Sequence, residues 1–529
     1  MKINKNNFKL ITCAMSTMMI FSLVGCGGNS NQKVDIFSIG ELEGQTMEVD
    51  ADGLPVFDDT VELNVWSIIG DPDQVKFKDL IVAFNKEYLG QVHLNVVYQG
   101  HHDFYSALEN AYSYDFANSF PDVLFMHNEK TVQYAYNGYL YPLDSLFESA
   151  GVEFDFTQAY SNIDRVTQYK GYRYGIPVDA HGFVTQFRQD IIKKNGLGFE
   201  NNTRFIPNGA DEYQQLLEGL RAKADKNELL VRDINKGSDH SWRIANPNEF
   251  YPSFTQSTDP DGLSALYANG GTLASEDQST VTFHQNEGFQ KYLTDQVERH
   301  NNKLNGESGK NTEMFGAGNT VMFTEGPWWI AQTYTGNWNN SELTTANQNG
   351  VSAEDATDPI ISKPYVASRP LSWWTIDANK NTESGSKWYG NGHAISLTRK
   401  ITDIKKVSAA LLFAKWYTQG KDSKGNYNLV DWNSAGHVPA WKNVYESNGY
   451  KTLLNKNITL QALGNPADII AMEGLEYEST LFTALSNSCV AVLDAVKSSA
   501  GCTKEQALQI LNETASSCQT TLDLLKLYE

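Results

Sequence analysis

The stretch 61–126 constrains the fold most strongly, because apolar residues recur in it with two different periods. Residues 61–65 alternate between apolar and polar side chains as in a half-buried strand, and apolar residues at 77–88 recur at helical spacing. The pattern continues with a strand-like run, a helix-like run and a buried strand: 92–98, 103–117 and 122–126. This order predicts a parallel sheet with helices on both faces, and such sheets bind ligands beyond the carboxyl ends of their strands.

The amino-terminal residues predict export and lipid anchoring. Three lysines precede the apolar run 10–21, which is too short to span a bilayer and is typical of a signal peptide. The sequence Leu-Val-Gly before Cys26 resembles the lipobox of bacterial lipoproteins, so we expect residues 1–25 to be removed and Cys26 to be acylated. Residues 26–57 then form a tether and lead-in, and fatty chains alone hold the protein at the membrane.

Charge and motifs exclude several classes of protein. The formal net charge of −21 opposes binding to nucleic acid, whose phosphates would be repelled. The chain contains no nucleophile elbow, HExxH or Walker motif, so we expect no catalytic residues. The three cysteines near the carboxyl terminus have no CxxC spacing, so we expect no metal and no cofactor, although Cys489 and Cys518 could form a disulfide across the turn near Gly501.

Nine short signatures occur in one order along some 380 residues. They are Val65-Trp66, Pro121–Phe125, Gly138–Asp144, Tyr174–Pro177, Asn269–Gly271, Phe315–Met322, Gly326–Trp328, Gly392-His393 and Gly436–Ala440. Together they resemble the extracellular sugar-binding proteins of ABC transporters, the family of maltodextrin-binding protein. The resemblance is clearest at 60–200 and 265–330, and it thins at 335–392, which looks like an insertion.

The resemblance implies an α/β, two-lobe fold like that of periplasmic binding proteins, in which discontinuous lobes are joined by hinge strands around a ligand cleft. We place lobe one at 58–178 plus 393–436, and lobe two at 181–390 plus 438–529. The chain then crosses between the lobes three times: near 178–182, near 389–393 and near His437. A few torsions at these crossings suffice for closure.

Aromatic platforms are the first candidates for a sugar site, because a sugar presents apolar C–H faces to flat rings. Trp328 matches the family's Gly-Pro-Trp aromatic, which stacks on ligand, and Trp329 adjoins it, with burial of one of the two in the core as the alternative. Trp373 and Trp374 form a second pair in the insertion-like segment, where burial in the lobe is the alternative.

Polar groups that could hold sugar hydroxyls follow the buried strand 122–126. Asn128 precedes Glu129 and Lys130, which match an acid–base pair that contacts sugar in the maltodextrin-binding relative, whereas Met126 replaces that relative's aromatic residue. The alternative for these charges is a solvated helix start.

Three more candidates come from the resemblance. Asp71 lies where a family acid meets ligand, His181 occupies a hinge position at which the relative has a ligand-binding Glu, and Tyr251 lies where the second lobe offers an aromatic residue. The alternatives are a helix-capping acid for Asp71 and a hydrogen-bonded hinge histidine for His181.

The sequence therefore predicts a monomeric, non-enzymatic binding protein on the outer face of the cytoplasmic membrane. Its ligand would be a sugar, an oligosaccharide given the chain length and aromatic content, delivered to the permease subunits of an ABC importer. An exported glycan-active enzyme and a ligand-sensing lipoprotein are the alternatives, and polyamine or peptide ligands also remain open.

Overall fold

The computed structural model describes most of the chain after the expected signal peptide. The described residues are 34–51, 53–235, 237–254, 258–306, 311–327, 350–377 and 387–527. The signal peptide, Cys26, Trp328 and Trp329 lie outside these ranges, so the predictions made for them are not addressed by the structure.

The first lobe is built on a five-stranded sheet of order β2-β1-β3-β16-β6. Its strands are β1 (Val61–Ser67), β2 (Val92–Tyr98), β3 (Val123–His127), β6 (Ile176–Pro177) and β16 (His393–Leu397), and a hairpin of β4 (Gln168–Tyr169) and β5 (Tyr172–Arg173) lies beside it. Strand β1 runs parallel to both β2 and β3, as the sequence predicts, whereas β16 runs antiparallel to β3. The first residue of β16 therefore lies beside the last residue of β3.

The second lobe has its own five-stranded sheet, of order β12-β11-β13-β8-β14. Its strands are β8 (Val184–Phe187), β11 (Ser253–Phe254), β12 (Asn305–Gly306), β13 (Met322–Glu325) and β14 (Val366–Ser368), with a separate hairpin of β9 (Leu230–Val231) and β10 (Arg243–Ile244). Here β13 is parallel to β11 and antiparallel to β8, which repeats the mixed arrangement of the first lobe.

A third sheet, of order β17-β7-β15-β18, gathers the segments that pass between the lobes. Its strands are β7 (Asp179–Gly182), β15 (Trp388–Asn391), β17 (Val438–Pro439) and β18 (Ile469–Ala471). Both β15 and β17 run antiparallel to β7. Strands from the predicted crossings near 178–182 and 389–393 and from the segment after His437 are thus hydrogen-bonded neighbours.

Helices cover both main sheets. They are α1 (Gln74–Glu87), α2 (His101–Ser119), α3 (Lys130–Tyr136), α4 (Ser161–Asp164), α5 (Gln189–Lys194), α6 (Phe199–Asn202), α7 (Ala210–Asp225), α8 (Thr258–Ala268), α9 (Glu287–Asn301), α10 (Asn311–Ala317), α11 (Ala353–Thr357), α12 (Leu371–Trp374), α13 (Ile404–Gln419), α14 (Leu429–Asn433), α15 (Lys442–Tyr445), α16 (Asn448–Lys456), α17 (Ile458–Leu463), α18 (Glu478–Lys497) and α19 (Lys504–Leu527). The buried face of α1 consists of Phe77, Leu80, Ile81 and Phe84, at the spacing that the sequence indicates.

Separate hydrophobic cores support the two lobes. The first contains the sheet residues Leu63, Phe125 and Ile395, and the second contains Phe187 and Met322. The α/β, two-lobe fold is therefore confirmed. The exact lobe boundaries stay a prediction, although the apolar residues between 438 and 471 pack mainly into the first core, whereas the sequence analysis assigned everything after His437 to lobe two.

The carboxyl-terminal helices α18 and α19 pack into the second core. By length and composition α18 is the one described helix that could cross a membrane, a segment the sequence analysis did not single out. Its buried residues, among them Leu481 and Leu485, pack in the second core, so this helix contributes its apolar face to lobe two. Cys489 and Cys518 are both buried, and the structure shows no disulfide between them.

Candidate functional site between the lobes

The carboxyl end of β3 meets the start of β16 at the edge of the first lobe. In the antiparallel register His127 lies opposite His393, and the Asn128 amide donates to the Gly392 carbonyl at 2.9 Å. A Cβ on Gly392 would lie 2.2 Å from the Asp179 carbonyl oxygen, so this close approach requires glycine. The second crossing is thereby held against the end of the central strand.

The first crossing and the segment at His437 converge on the same place through β7. His181 pairs with Asn391 across the β7–β15 ladder, and the Val178 amide donates to the His393 carbonyl at 2.8 Å. Val438, directly after His437, pairs with Ala180. Three distant parts of the chain therefore place histidines beside one carboxylate, that of Asp179.

Asp179 is fully buried and receives several hydrogen bonds. The His393 amide donates to its Oδ1 at 3.0 Å, and the Trp432 indole donates to its Oδ2 at 2.5 Å. Although burial acts in the opposite direction, the adjacent His393 and hydrogen bonds from His393 and His181 hold the pKa of Asp179 well below its usual range. Burial in turn lowers the pKa of His437 to about 3, so that imidazole is neutral.

Lys130 links the two lobes. It lies at the start of α3 in the first lobe and forms a buried ion pair with Glu478, the first residue of α18 in the second. Its Nζ also donates to the Ser479 hydroxyl at 2.8 Å, and the Ser479 amide donates to the Gln133 side chain at 3.0 Å. Lys130, Gln133, Glu478 and Ser479 form what we call the seam, which joins polar groups from both lobes.

Glu129 adds a buried carboxyl beside this ion pair. The residue is 3 % exposed, and its Oε2 has no hydrogen-bond partner among the described residues. Burial, with a further contribution from Glu478, raises its pKa to about 8, so the carboxyl is largely protonated at neutral pH. In that form it can both donate and accept a hydrogen bond, which suits a hydroxyl-rich solute.

The second lobe presents its own acids at the carboxyl end of β13. Glu325 is buried and accepts a hydrogen bond from the Gly326 amide at 2.9 Å. Burial raises the pKa of Glu325 to about 7 and, despite the nearby Arg299, raises that of Asp261 to about 7. Glu325 lies three residues before Trp328 in the sequence.

The predicted site residues fall into three groups. The structure brings together Asn128, Glu129, Lys130 and His181, all of them buried at the lobe junction. Asp71 follows β1 and is exposed to solvent. Tyr251 precedes the amino end of β11, opposite the edge that carries Glu325, and packs edge-on against Phe254.

Trp373 and Trp374 lie in the second hydrophobic core. Trp373 is 1 % exposed and stacks on Tyr213 at 5.6 Å with an interplanar angle of 4°. In this conformation both indoles contact protein rather than a cleft, so a ligand-binding role for them stays a prediction without structural support.

Sequence reasoning missed His127, Asp179, His393 and Glu478 as site residues, and it treated His437 only as a crossing. A signal was present for two of them, since Gly392-His393 and Gly436-His437 were among the signatures that carried the resemblance. What the sequence could not indicate was that these segments pack against each other.

Comparison with known proteins agrees with this architecture. The sequence profile described as bacterial extracellular solute-binding protein matches residues 79–455, well over half of the chain. The protein therefore belongs to the bacterial extracellular solute-binding protein family, a family of binding proteins with an extracytoplasmic location. No curated protein matches the chain significantly.

Solved structures share the fold at low sequence identity. The GacH receptor of Streptomyces glaucescens, solved unliganded and with acarbose, has a TM-score of 0.61 and 16 % identity, over 87 % of this chain and 99 % of the receptor. The sugar-binding protein MalE from Xanthomonas citri has a TM-score of 0.61 and 14 % identity, over 89 % and 100 %. UgpB from Mycobacterium tuberculosis, solved with glycerophosphocholine, has a TM-score of 0.61 and 14 % identity, over 88 % and 99 %. At these identities the similarity establishes the fold alone.

Proposed function

We propose that this protein is a lipid-anchored solute-binding protein that captures a carbohydrate, of oligosaccharide size, between its lobes and delivers it to an ABC importer. The family match supports solute binding outside the cytoplasm. The similarity to the GacH receptor and to MalE supports a sugar, although UgpB shows that this fold also accommodates a phosphorylated headgroup.

The observation that carries the proposal is the convergence of Asn128, Glu129 and Lys130 with Glu478 of the opposite lobe. Amide, protonated carboxyl and ammonium groups together supply the donors and acceptors that sugar hydroxyls need. Because the Lys130–Glu478 pair bridges the lobes, a solute that replaces or joins this pair couples its own binding to lobe closure.

Trp328 and Trp329 are the proposed stacking platform. They follow Glu325, and the carboxyl end of a central strand is where such sheets present ligand contacts. The lipid anchor is proposed at Cys26, where two or three acyl chains would retain the protein on the membrane. A Cys26→Ala variant should lose incorporation of labelled palmitate and appear in the medium, and unchanged labelling would refute this anchor.

Thermal shift over a panel of malto-, cello- and xylo-oligosaccharides tests the proposal. A ligand at 100 times its Kd stabilises a protein by about 2.7 kcal/mol, which gives a clear rise in melting temperature. We expect at least one glycan to produce this rise without any product detectable by chromatography. Product formation would indicate an enzyme, and no shift with any glycan would remove the carbohydrate assignment.

Glu129→Ala locates the site once a glycan is found. The variant should bind about tenfold more weakly because one solute hydrogen bond is lost. The unliganded variant should remain about as stable as the wild type, because the change removes a buried carboxyl oxygen, Oε2, that has no hydrogen-bond partner among the described residues. Glu249→Ala, at an exposed acid of lobe two, is the matched control and should bind normally. Equal affinities for the two variants would place the ligand elsewhere.

A further inference from the structure

Histidines are concentrated at the lobe junction. The chain contains 10, and four of them pack ring against ring there. The ring centroids of His181 and His393 are 4.8 Å apart, and His437 lies 5.3 Å from each. His127, at the end of β3, lies 5.2 Å from His393. So many imidazoles in a buried space indicate chemistry beyond the hydrogen bonding of a hinge.

Four ligand-type side chains meet at one point of this cluster. One ring nitrogen each from His181, His393 and His437 and one carboxylate oxygen of Asp179 all lie within 4.8 Å of one another, and all four residues are buried. The His393 Nδ1 is 3.0 Å from Asp179 Oδ2, and the His181 Nδ1 is 3.6 Å from Asp179 Oδ1. Three imidazoles and a carboxylate are a donor set typical of tetrahedral zinc sites.

A second observation points to a ligand for His437. Its Nδ1 is buried and has no hydrogen-bond partner among the described residues, whereas its Nε2 lies 3.2 Å from Asp73 Oδ2. A metal-bound histidine commonly uses one nitrogen for the ion and donates from the other to a carboxylate, which fixes the ring orientation. The Trp432 indole, which stacks on His437 at 4.3 Å and donates to Asp179, orients both residues.

We propose that Asp179, His181, His393 and His437 form a resident site for a divalent ion with the coordination chemistry of zinc. Asp179 and His181 come from the crossing near 178–182 and His393 from the crossing near 389–393, whereas His437 precedes a segment that packs in the first core, so the ion would tie these two crossings to the first lobe. Tetrahedral coordination at zinc distances requires ligand atoms about 3.4 Å apart. The four ligand atoms, which lie within 4.8 Å of one another, would therefore move closer together when the ion binds. Four buried protein ligands leave no open position, which is the arrangement of structural rather than catalytic zinc.

This ligand set adjoins the proposed solute site, since His127 Nδ1 lies 3.7 Å from Glu129 Oε1, but it contains none of the residues that carry the proposed function. The solute would contact Glu129, Lys130 and the second lobe, whereas the ion would lie among the crossing strands behind them. The inference therefore does not depend on which solute binds. The competing explanation is a metal-free network in which the imidazoles only hydrogen-bond to Asp179, and the experiment separates the two.

Titration of untagged, chelator-treated full-length protein with Co²⁺ tests the site, since Co²⁺ reports tetrahedral coordination through intense visible absorption. We expect one equivalent to bind without the thiolate charge-transfer bands of cysteine ligands, Zn²⁺ to displace it, and Zn²⁺ to raise the melting temperature. Absence of stoichiometric binding by the wild-type protein would overturn the inference whatever the variants show.

Three variants assign the ligands. His437→Gln should weaken Co²⁺ binding at least about 100-fold, and Asp73→Asn, which alters only ring orientation, about tenfold. His300→Gln, at the last turn of α9 and outside the cluster, should bind as the wild type does. Binding that is equally tight in His437→Gln and His300→Gln would show that the ion sits elsewhere and would refute the site, and circular dichroism confirms that each variant is folded.

Discussion

The two lobes present the same structural feature, the carboxyl end of a central strand, with different electrostatics. In the first lobe β3 ends next to Glu129 and Lys130, and the lysine pairs with Glu478 across the junction. In the second, β13 ends at Glu325, which forms no ion pair with any residue that the structure describes. The first edge therefore carries an ion pair across the junction and the second does not, although burial raises the pKa of a carboxyl at each edge, Glu129 and Glu325.

Trp373→Ala should have the largest effect on stability. The indole is buried against Tyr213 and Phe187, so its removal leaves a cavity that lowers the free energy of unfolding by about 4 kcal/mol in urea titration. Trp328→Ala should instead weaken glycan binding and cost much less stability. If Trp373→Ala weakened binding while stability was unchanged, Trp373 would be a ligand platform and the assignment of Trp373 to the core would be wrong.

Lys130→Met tests the charged seam of the first lobe. Removing the ammonium leaves Glu478 buried without its partner, which should lower the free energy of unfolding by about 3 kcal/mol. Lys405→Met is the matched control, because Lys405 and Asp58 are exposed and such surface pairs contribute about 0.5 kcal/mol or less. Similar losses for both variants in chemical denaturation would mean that the seam does not hold the lobes.

Glu325→Gln tests the titrating edge of the second lobe. Because the folded pKa of Glu325 is raised to about 7, the folded protein binds an extra proton, and the stability from this group is lost as pH rises from about 4.5 to 7. The wild type should therefore lose about 2 kcal/mol relative to Glu325→Gln over that range. A difference between the two proteins that does not change with pH would show that folding does not raise the pKa of Glu325.

Much of the fold was predictable, because the spacing of apolar residues and the order of strands and helices can be read directly along the sequence. Residues 61–126 predicted β1 to β3 and the intervening helices, and the same reasoning placed Asn128 to Lys130 at a strand end. The Asp179 cluster was not predictable in this way, because its members come from three segments that only the tertiary structure brings together. Trp373 illustrates a second limit, since an aromatic pair in a polar segment does not reveal which way its rings point.

The central claim is that a glycan is held where the first-lobe edge meets the start of α18. Hydrogen–deuterium exchange, with and without the best glycan from the thermal-shift panel, tests this claim most directly. The account predicts new protection in peptides covering 126–130 and 476–479 together, because the solute closes both lobes over one seam. Protection confined to one lobe, or none in either segment while the glycan is bound, would contradict it.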